Sequence, residues 1–294
     1  MRKLAIIIIT YNGLNDTLEC IESINKSSGN IDYQIIVVDN NSKINEASII
    51  KERYPDIHTI RSKINGGFSC GNNLGIQYAI ENDFEYCMLL NNDTFVDGSM
   101  IQLLLSRAND NTIVVPTMYY ANDPKTIWYG GGYINKWTGK AEHKRMNLNA
   151  DVDVLQEEDC SFATGCCVLV NTNIFKNIGL LDEKMFMYCE DTEFCIRALN
   201  NGVSIRYIPK AKLWHKVSKS TGGSASPFSI YYMTRNRLFC IKNYCDFFRK
   251  TAFLFTIITR YIRIMTEKDE KVKKAYRKAI NDFQHDIYGN SFSL

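Results

Sequence analysis

Asp93 follows Leu89-Leu90-Asn91-Asn92, where a carboxylate beside an amide offers hard oxygen ligands to a Mg2+ or Mn2+ ion carrying a diphosphate. Asp39, after Ile36-Val37-Val38, suits recognition of a base or ribose, or caps the turn that follows it. The two acids, with the glycine-rich run Asn65-Gly66-Gly67 between them, suggest a metal-assisted nucleotide site. A third group, Glu190-Asp191-Thr192-Glu193, sets three acids at the start of a helix, where Phe186 and Tyr188 would partly desolvate a general base. The same acids suit the positive end of the helix dipole, with Asp191 as N-cap and Glu193 paired to Arg197 one turn on.

Gly67-Phe68-Ser69-Cys70-Gly71 matches G-x-S-x-G, which in a nucleophile elbow puts Ser69 on a sharp strand-to-helix turn with an Asp and then His215 following. Lys63 to Gly66 separate Ser69 from the preceding strand, and a hydrolase leaves Asp39 and Asp93 without work. The run is neither the dinucleotide G-x-G-x-x-G nor a P-loop, whose lysine is absent. His215, in Leu213-Trp214-His215, is either a packed core residue or a ligand. Arg235-Asn236-Arg237 reads equally as a solvated helix face. The four histidines are scattered and the ten cysteines form no C-x-x-C pair, which argues against a Cys/His zinc site and fits a reduced, cytoplasmic chain.

The elements that must position these residues are legible as periodicity. Lys3 to Ile9 is a continuous apolar run bounded by a turn, the mark of a strand buried on both faces. Gln34 to Val38, Ile57 to Ile60 and Tyr86 to Leu90 repeat that signal. Helical spacing over Leu14 to Ser27, over Ala47 to Arg53 and, after the turn Asn65-Gly66-Gly67, through Leu74 and Ile80 alternates with it, so the first 95 residues predict a parallel βαβ sheet. Ligands in such sheets bind outside the carboxyl ends of the strands. Thr10-Tyr11-Asn12, Asp39-Asn40-Asn41, Asn65-Gly66-Gly67 and Asn92-Asp93 all fall there. Ser99 to Arg107 predicts a helix and Ile113 to Pro116 a strand; residues 117 to 160 look like hairpins and loops lining a cleft. Cys166 to Val170 and Val203 to Ile208 predict strands, Asp191 to Leu199 a helix. Lys219 to Pro227 reads as a flexible linker or lid, and Phe228 to Ile287 as two or three helices.

At 45% hydrophobic and 23% charged, with five prolines, the 294 residues exclude disordered and collagen-like chains. No apolar run approaches the ~18 to 20 residues needed to cross a bilayer. Arg2-Lys3 and the apolar run after it lack a cleavage site, so the segment reads as a strand and not as a signal peptide. No internal repeat is visible. A net charge of +3 hides an asymmetry, +12 over residues 201 to 294 against −9 before them. No nucleic-acid motif accompanies that basic tail.

Ile6 to Asn12 (IIIITYN), Val37 to Ser42 (VVDNNS), Asn65 to Ile76 (NGGFSCGNNLGI), Leu89 to Thr94 (LLNNDT), Gly179 to Arg197 (GLLDEKMFMYCEDTEFCIR) and Trp214-His215 together resemble the family 2 inverting glycosyltransferases of GT-A fold, over residues 3 to 216 and in the expected order. The Arg235-Asn236-Arg237 segment and residues 274 to 283 resemble, more loosely, the tails of bacterial rhamnosyltransferase-type members. The resemblance implies an α/β GT-A domain whose mostly parallel, Rossmann-like sheet has helices on both faces, plus a C-terminal helical extension. It implies that Thr10, Tyr11 and Asp39 hold base and ribose, with Asn12, Gly67, Asn72, Asn92 and Asp93 completing the nucleotide-sugar site. Asp93 would bind Mg2+ or Mn2+, Asn92 standing where many relatives carry the first Asp of a D-x-D pattern, and His215 would be a second metal or diphosphate contact. Asp191 would be the catalytic base with Glu190 beside it, while Glu193, Trp214 and Arg235 would touch acceptor or diphosphate. The Q-x-x-R-W signature of processive synthases is absent, which implies one sugar per encounter.

The expected organisation is a catalytic domain over 1–218 (nucleotide-sugar half 1–115, acceptor and base half 116–218), a linker or lid over 219–227 and a basic amphipathic extension over 228–294. The expected partners are a nucleotide-diphospho-sugar donor and a saccharide or lipid-linked saccharide acceptor of bacterial surface polysaccharide assembly, with no nucleic acid. The apolar and cationic residues of the extension would seat it on the anionic inner face of the cell membrane, or pack on the catalytic domain or a second copy of the chain. A nucleotidyltransferase on a similar sheet and a catalytically silent nucleotide-sugar or surface-binding module are the rival readings.

Overall fold

The computed structural model describes residues 4–27, 31–135, 137–149, 155–217, 223, 225–244 and 249–293. Strands β1 (Leu4–Thr10), β2 (Tyr33–Asp39), β3 (His58–Arg61) and β4 (Tyr86–Asn91) pair in parallel in the spatial order β4-β1-β2-β3. Their crossovers are α1 (Leu14–Ser27), α2 (Glu46–Arg53) and α3 (Gly67–Glu81), as the alternating periodicities require. The apolar run of β1 is buried on both faces because it lies in the middle of this sheet. Helix α3 lies so close to it that a Cβ on Gly75 would fall 2.5 Å from Ile7 Cγ2, and one on Gly71 3.1 Å from Ile9 Cδ1.

Beyond β4 the sheet becomes mixed. After β5 (Thr94–Val96) and α4 (Met100–Leu105) come β6 (Thr112–Tyr120), β7 (Asp123–Tyr129), β8 (Gly132–Asn135), β9 (Lys140–His143), β10 (Glu158–Cys160) and β11 (Cys167–Asn171). Strand β11 inserts antiparallel between β4 and β6, so the parallel expectation holds only for the first half. The stretch read as irregular is built of the β6–β7 and β8–β9 hairpins and the edge strand β10. Helices α5 (Thr172–Ile178) and α6 (Glu190–Asn200) lead to β12 (Ser204–His215), parallel to β6 and longer than its apolar run indicated. A register shift between Ile208 and Lys212 lets it continue past Pro209 to pair with β5.

The C-terminal part forms three helices, α7 (Pro227–Tyr244), α8 (Arg249–Thr266) and α9 (Glu270–Gln284). Leu238, Phe239, Ile264, Val272, Tyr276, Ile280 and Phe283 form their shared core, which Met185 joins. Helix α8 buries Ala252, Thr256 and Ile264 toward its neighbours. Its other face leaves Leu254, Phe255, Ile258, Tyr261, Ile262 and Met265 between 46% and 74% exposed. Phe247 and Phe248, expected on the amphipathic face, lie outside the described residues, as does most of the 219–227 stretch. Where that stretch is described, Ser226 Oγ accepts from the Ser229 amide and caps α7. No helix among the described residues is long and apolar enough to cross a membrane.

Candidate active site

The polar ends of the parallel strands are laced together by side chains. Glu46, at the first turn of α2, is buried and receives the Thr10 hydroxyl and, at 3.2 Å, the Leu14 amide. Ser42 Oγ takes the Asn12 amide at 2.9 Å, and Asn12 Oδ1 takes the Lys43 amide at 2.9 Å. Asp39 has no exposed surface; its Oδ1 accepts from Ser42 N at 2.8 Å, and its Oδ2 from Ala47 N at 3.4 Å with Arg61 at 3.5 Å. The turn-capping reading therefore describes Asp39 as it stands. Tyr11, half exposed at the tip of β1, is the face that this edge offers to a planar ring.

The Asn40 amide nitrogen reaches Asn65 Oδ1 and the Gly67 carbonyl, each at 3.0 Å, and so ties the end of β2 to the glycine-rich turn. Gly67 opens α3 at φ +79°, and its missing Cβ would fall 1.9 Å from the Phe186 carbonyl oxygen. That carbonyl accepts from Phe68 N at 2.7 Å. Asn72, which was expected to touch the nucleotide-sugar, is buried and spends its amide on the Phe68 carbonyl at 3.0 Å. The neighbouring Asn73 binds both the carbonyl and the amide of Leu181. Ser69 is the third residue of α3, fully buried, with no partner for its hydroxyl, so the nucleophile elbow does not form.

Phe186, Tyr188 and Cys189 all hold positive φ, at 60°, 66° and 69°. Three left-handed non-glycine residues in one short loop persist only where the surroundings fix them. Asn236 of α7 does this: its amide nitrogen lies 2.7 Å from the Met185 carbonyl and 2.8 Å from those of Met187 and Tyr188. Arg235 beside it is fully buried, donates to the Lys184, Met185 and Gly289 carbonyls, and lies over the rings of Tyr231 and Tyr232. Placing Arg235 against acceptor or diphosphate is thus corrected: a guanidinium committed to backbone inside the protein has no face left for a ligand. Asn236 carried no functional expectation, and only its place in the Arg-Asn-Arg segment could have flagged it.

The loop delivers the carboxylates of α6. Asp191 is partly exposed, and its oxygens accept from Thr192 N at 2.7 Å and Gly165 N at 3.2 Å. Burial raises its pKa above the ordinary aspartate value. Glu190 is buried with Oε2 unpartnered, and burial, then the Asp191 charge, push it up to about 8. Glu193 has no exposed side chain; it forms a two-pronged pair with Arg197 at 2.6 and 2.8 Å, and Arg197 in turn binds the Ile178, Gly179 and Leu180 carbonyls. The i,i+4 reading of Glu193 is therefore what stands, and an acceptor contact from it is corrected on the same ground of burial.

On the other side of the edge, His215 Nε2 and Asp93 Oδ1 converge at 3.1 Å. His215 is buried against the edge of the Trp128 ring at 4.6 Å, with Nδ1 unpartnered. Trp214 points to the opposite face of β12, its Nε1 on the Pro124 carbonyl at 3.3 Å, so alternation along the strand separates it from His215. Asn92 turns its amide nitrogen onto α1, 3.0 Å from Thr17 Oγ1 and 3.4 Å from the Gly13 carbonyl. No group of three His, Cys, Asp or Glu side chains that could hold a metal occurs among the described residues. Asp93 and His215 are a two-ligand set, which suits a cation that takes its remaining oxygens from a diphosphate and water.

The sequence profile described as glycosyl transferase family 2 matches residues 5–179, and the chain belongs to that family. Among curated relatives, it is 28% identical to the low-salt glycan biosynthesis hexosyltransferase Agl10 of Haloferax volcanii over 80% of this chain and 74% of the relative. It is 24% identical to the dTDP-rhamnosyl transferase RfbF of Shigella flexneri over 91% of each. Among solved structures, S. aureus TarS 1-349 in complex with UDP-GlcNAc superposes with a TM-score of 0.62 at 16% identity, over 97% of this chain and 81% of that one. GalNAc-T7 with UDP, GalNAc and Mn2+ gives 0.65 at 15% identity over 98% of this chain, which spans 56% of that one. The fold is the α/β glycosyltransferase fold with C-terminal helices, and the protein is a glycosyltransferase with rhamnosyltransferase relatives.

Proposed function

We propose that this glycosyltransferase moves one sugar from a nucleoside-diphospho-sugar to a hydroxyl of a lipid-linked saccharide in surface polysaccharide assembly, with inversion at the anomeric carbon. The observation that carries the reading is Asp191: a carboxylate oriented by two backbone amides, partly exposed, and raised by burial toward the range where a base works. It accepts the proton of the attacking hydroxyl, and a single displacement inverts the configuration. Glu190 stays protonated beside it near neutrality and so adds no second charge. Tyr11 stacks on the base at the edge that Asp39 and Glu46 hold rigid. Asp93 and His215 would hold a divalent cation, Mg2+ or Mn2+, which supplies charge stabilisation for the departing diphosphate.

The relatives favour a dTDP-sugar as the first donor to try: one carries dTDP-rhamnosyl transfer in its name, and an N-acetylglucosaminyl-diphospho-decaprenol L-rhamnosyltransferase of Mycobacterium tuberculosis is 31% identical over 30% of this chain. A lipid-linked acceptor gives the exposed apolar face of α8 a use, since it would seat the enzyme on the inner membrane surface where that acceptor lies. The test is a panel of dTDP-, UDP- and GDP-sugars with a lipid-linked acceptor, reading the released nucleotide and the anomeric configuration of the product. Asp191→Asn should keep donor binding and lower the transfer rate by ~10² or more. Pyrophosphate as the product would make it a nucleotidyltransferase, and donor binding without turnover a silent module.

A further inference from the structure

We infer that Arg237 and Arg260 form a site for the phosphate groups of an amphiphilic acceptor, between the β8–β9 turn and the C-terminal helices. The inference deepens the proposed lipid-linked acceptor and rests on that reading.

Arg237 (α7) and Arg260 (α8) lie on rows of two helices that pack together, near enough for the Arg260 charge to bear on Arg237. Ala252, Thr256 and Arg260 recur at four-residue spacing along α8, the first two fully buried. Arg237 and Ile241 recur likewise on α7. The β8–β9 turn is pressed onto the crossing: a Cβ on Gly139 would fall 2.8 Å from Ile241 Cγ1 and 3.7 Å from Ala252 Cβ. Arg237 donates from one terminal nitrogen to the Thr138 carbonyl, and Arg260 lies over the Tyr276 ring at 5.6 Å.

Two guanidiniums brought together in a half-buried place ordinarily bracket a carboxylate. Neither has one: among the described residues, no Asp or Glu lies within 4.0 Å of either. Glu142, the acid that Arg237 feels, is bonded instead to the Tyr133 hydroxyl at 2.7 Å and paired with Lys140 at 3.4 Å. Arg237 Nε, Arg260 Nε, Thr138 Oγ1 and Thr256 Oγ1 are all buried without a partner. Burial, then the Arg260 charge, weaken the hold of Arg237 on its proton, which a bound anion would reverse. Two guanidiniums and two hydroxyls are a donor set for phosphate oxygens.

Two further features define the occupant. Cys240, one turn on from Arg237 in α7, donates from Sγ to the Cys189 carbonyl at 3.7 Å, and Cys189 immediately precedes Glu190 and Asp191, so the anion would sit near the carboxylates proposed to serve the acceptor. The outer face of the same α8 carries the exposed Leu254, Phe255, Ile258, Tyr261, Ile262 and Met265. One helix thus offers cations on one face and apolar surface on the other, which matches a diphosphate attached to a long hydrocarbon chain and not a free anion.

Titration calorimetry on the full chain with farnesyl diphosphate, inorganic pyrophosphate and farnesol tests this. Farnesyl diphosphate should bind at least about tenfold tighter than either fragment, and Arg260→Gln or Arg237→Gln should weaken it at least about tenfold while leaving binding of the nucleoside diphosphate intact. Arg260→Gln should also melt no lower than wild type without ligand, since it removes a like charge that acts on Arg237. Equal affinity of wild type and variants, pyrophosphate binding as tightly as farnesyl diphosphate, or competition by the nucleoside diphosphate would each overturn the site. A marked fall in melting temperature with ligand binding intact would make the arginines structural and overturn it too. Arginine-dependent binding in a protein whose Asp191→Asn variant still transfers sugar at the wild-type rate would sink the base assignment and leave this site standing.

Discussion

Gly67 and Phe186 are locked together across the edge of the sheet: the Phe186 carbonyl accepts from Phe68 N at 2.7 Å and occupies the space that any Cβ on Gly67 would need. The first turn of α3, at the polar ends of the parallel strands, is thereby in register with the loop that carries Glu190 and Asp191, more than 100 residues away in sequence. The polar edge of the sheet and the loop that leads into α6 are one mechanical unit.

Gly67→Ala should therefore be costly in two ways, through the steric conflict at 1.9 Å and through a φ of +79° that side chains adopt poorly. A loss of about 2 kcal/mol or more in denaturant unfolding is expected, with turnover falling further than stability explains. A chain as stable and active as wild type would show that the two segments move apart freely.

Asn236→Ala removes the amide that three loop carbonyls share. Leaving buried carbonyls unsatisfied is expected to cost about 3 kcal/mol. Because the loop positions Asp191, kcat should fall while donor affinity, set at the strand ends, changes little. Chemical denaturation and steady-state kinetics on the same preparation separate the two effects.

Asp93→Ala should abolish turnover with the circular dichroism spectrum unchanged, and EDTA should reproduce the loss in wild type, reversed by Mn2+ or Mg2+. His215→Ala should raise the cation concentration needed for half-maximal rate, since it removes the group that lies 3.1 Å from the Asp93 oxygen. Full activity in EDTA would end the metal role.

Glu190 sets a pH signature. Its carboxyl releases its proton near pH 4.5 when unfolded and only at about 8 when folded, because burial and then the Asp191 charge disfavour the anion. Between those values the unfolded chain binds fewer protons, so the contribution is full below pH 4.5 and lost as pH rises toward 8. Wild type should lose melting temperature across that window, while Glu190→Gln should lose less. Asp191 is raised as well, by burial, so the rate should climb with pH on a limb that lies above the ordinary aspartate value.

The sequence showed the polar edge of the sheet openly, because each β-strand of the first 95 residues ends in a polar cluster and parallel pairing must bring those ends together. What it concealed follows from sequence distance. Glu46 joins Thr10 to the α2 turn, and Asn236 grips a loop some 50 residues earlier; neither shows as a departure from periodicity, since each is one polar residue inside an ordinary helix. The antiparallel insertion of β11 was hidden for a related reason: an apolar run buried on both faces reads alike in either direction. Glu193 looked chemical because it neighbours Glu190 and Asp191, and only its bond to Arg197 shows that it holds the loop backbone through that arginine.

The nine free cysteines of the described residues give the molecule a property separate from its chemistry. The thiolate is the reactive form, and burial pushes these thiols upward, Cys20 to about 12 and Cys87, Cys166, Cys167 and Cys195 well above their ordinary value. The seven buried thiols among the described residues are thus shielded from alkylating reagents by the packing around them. Iodoacetamide uptake then becomes a clock for transient opening: Cys87 and Cys167 report the sheet, Cys20 the helix α1, and Cys189 the loop on which the carboxylates ride.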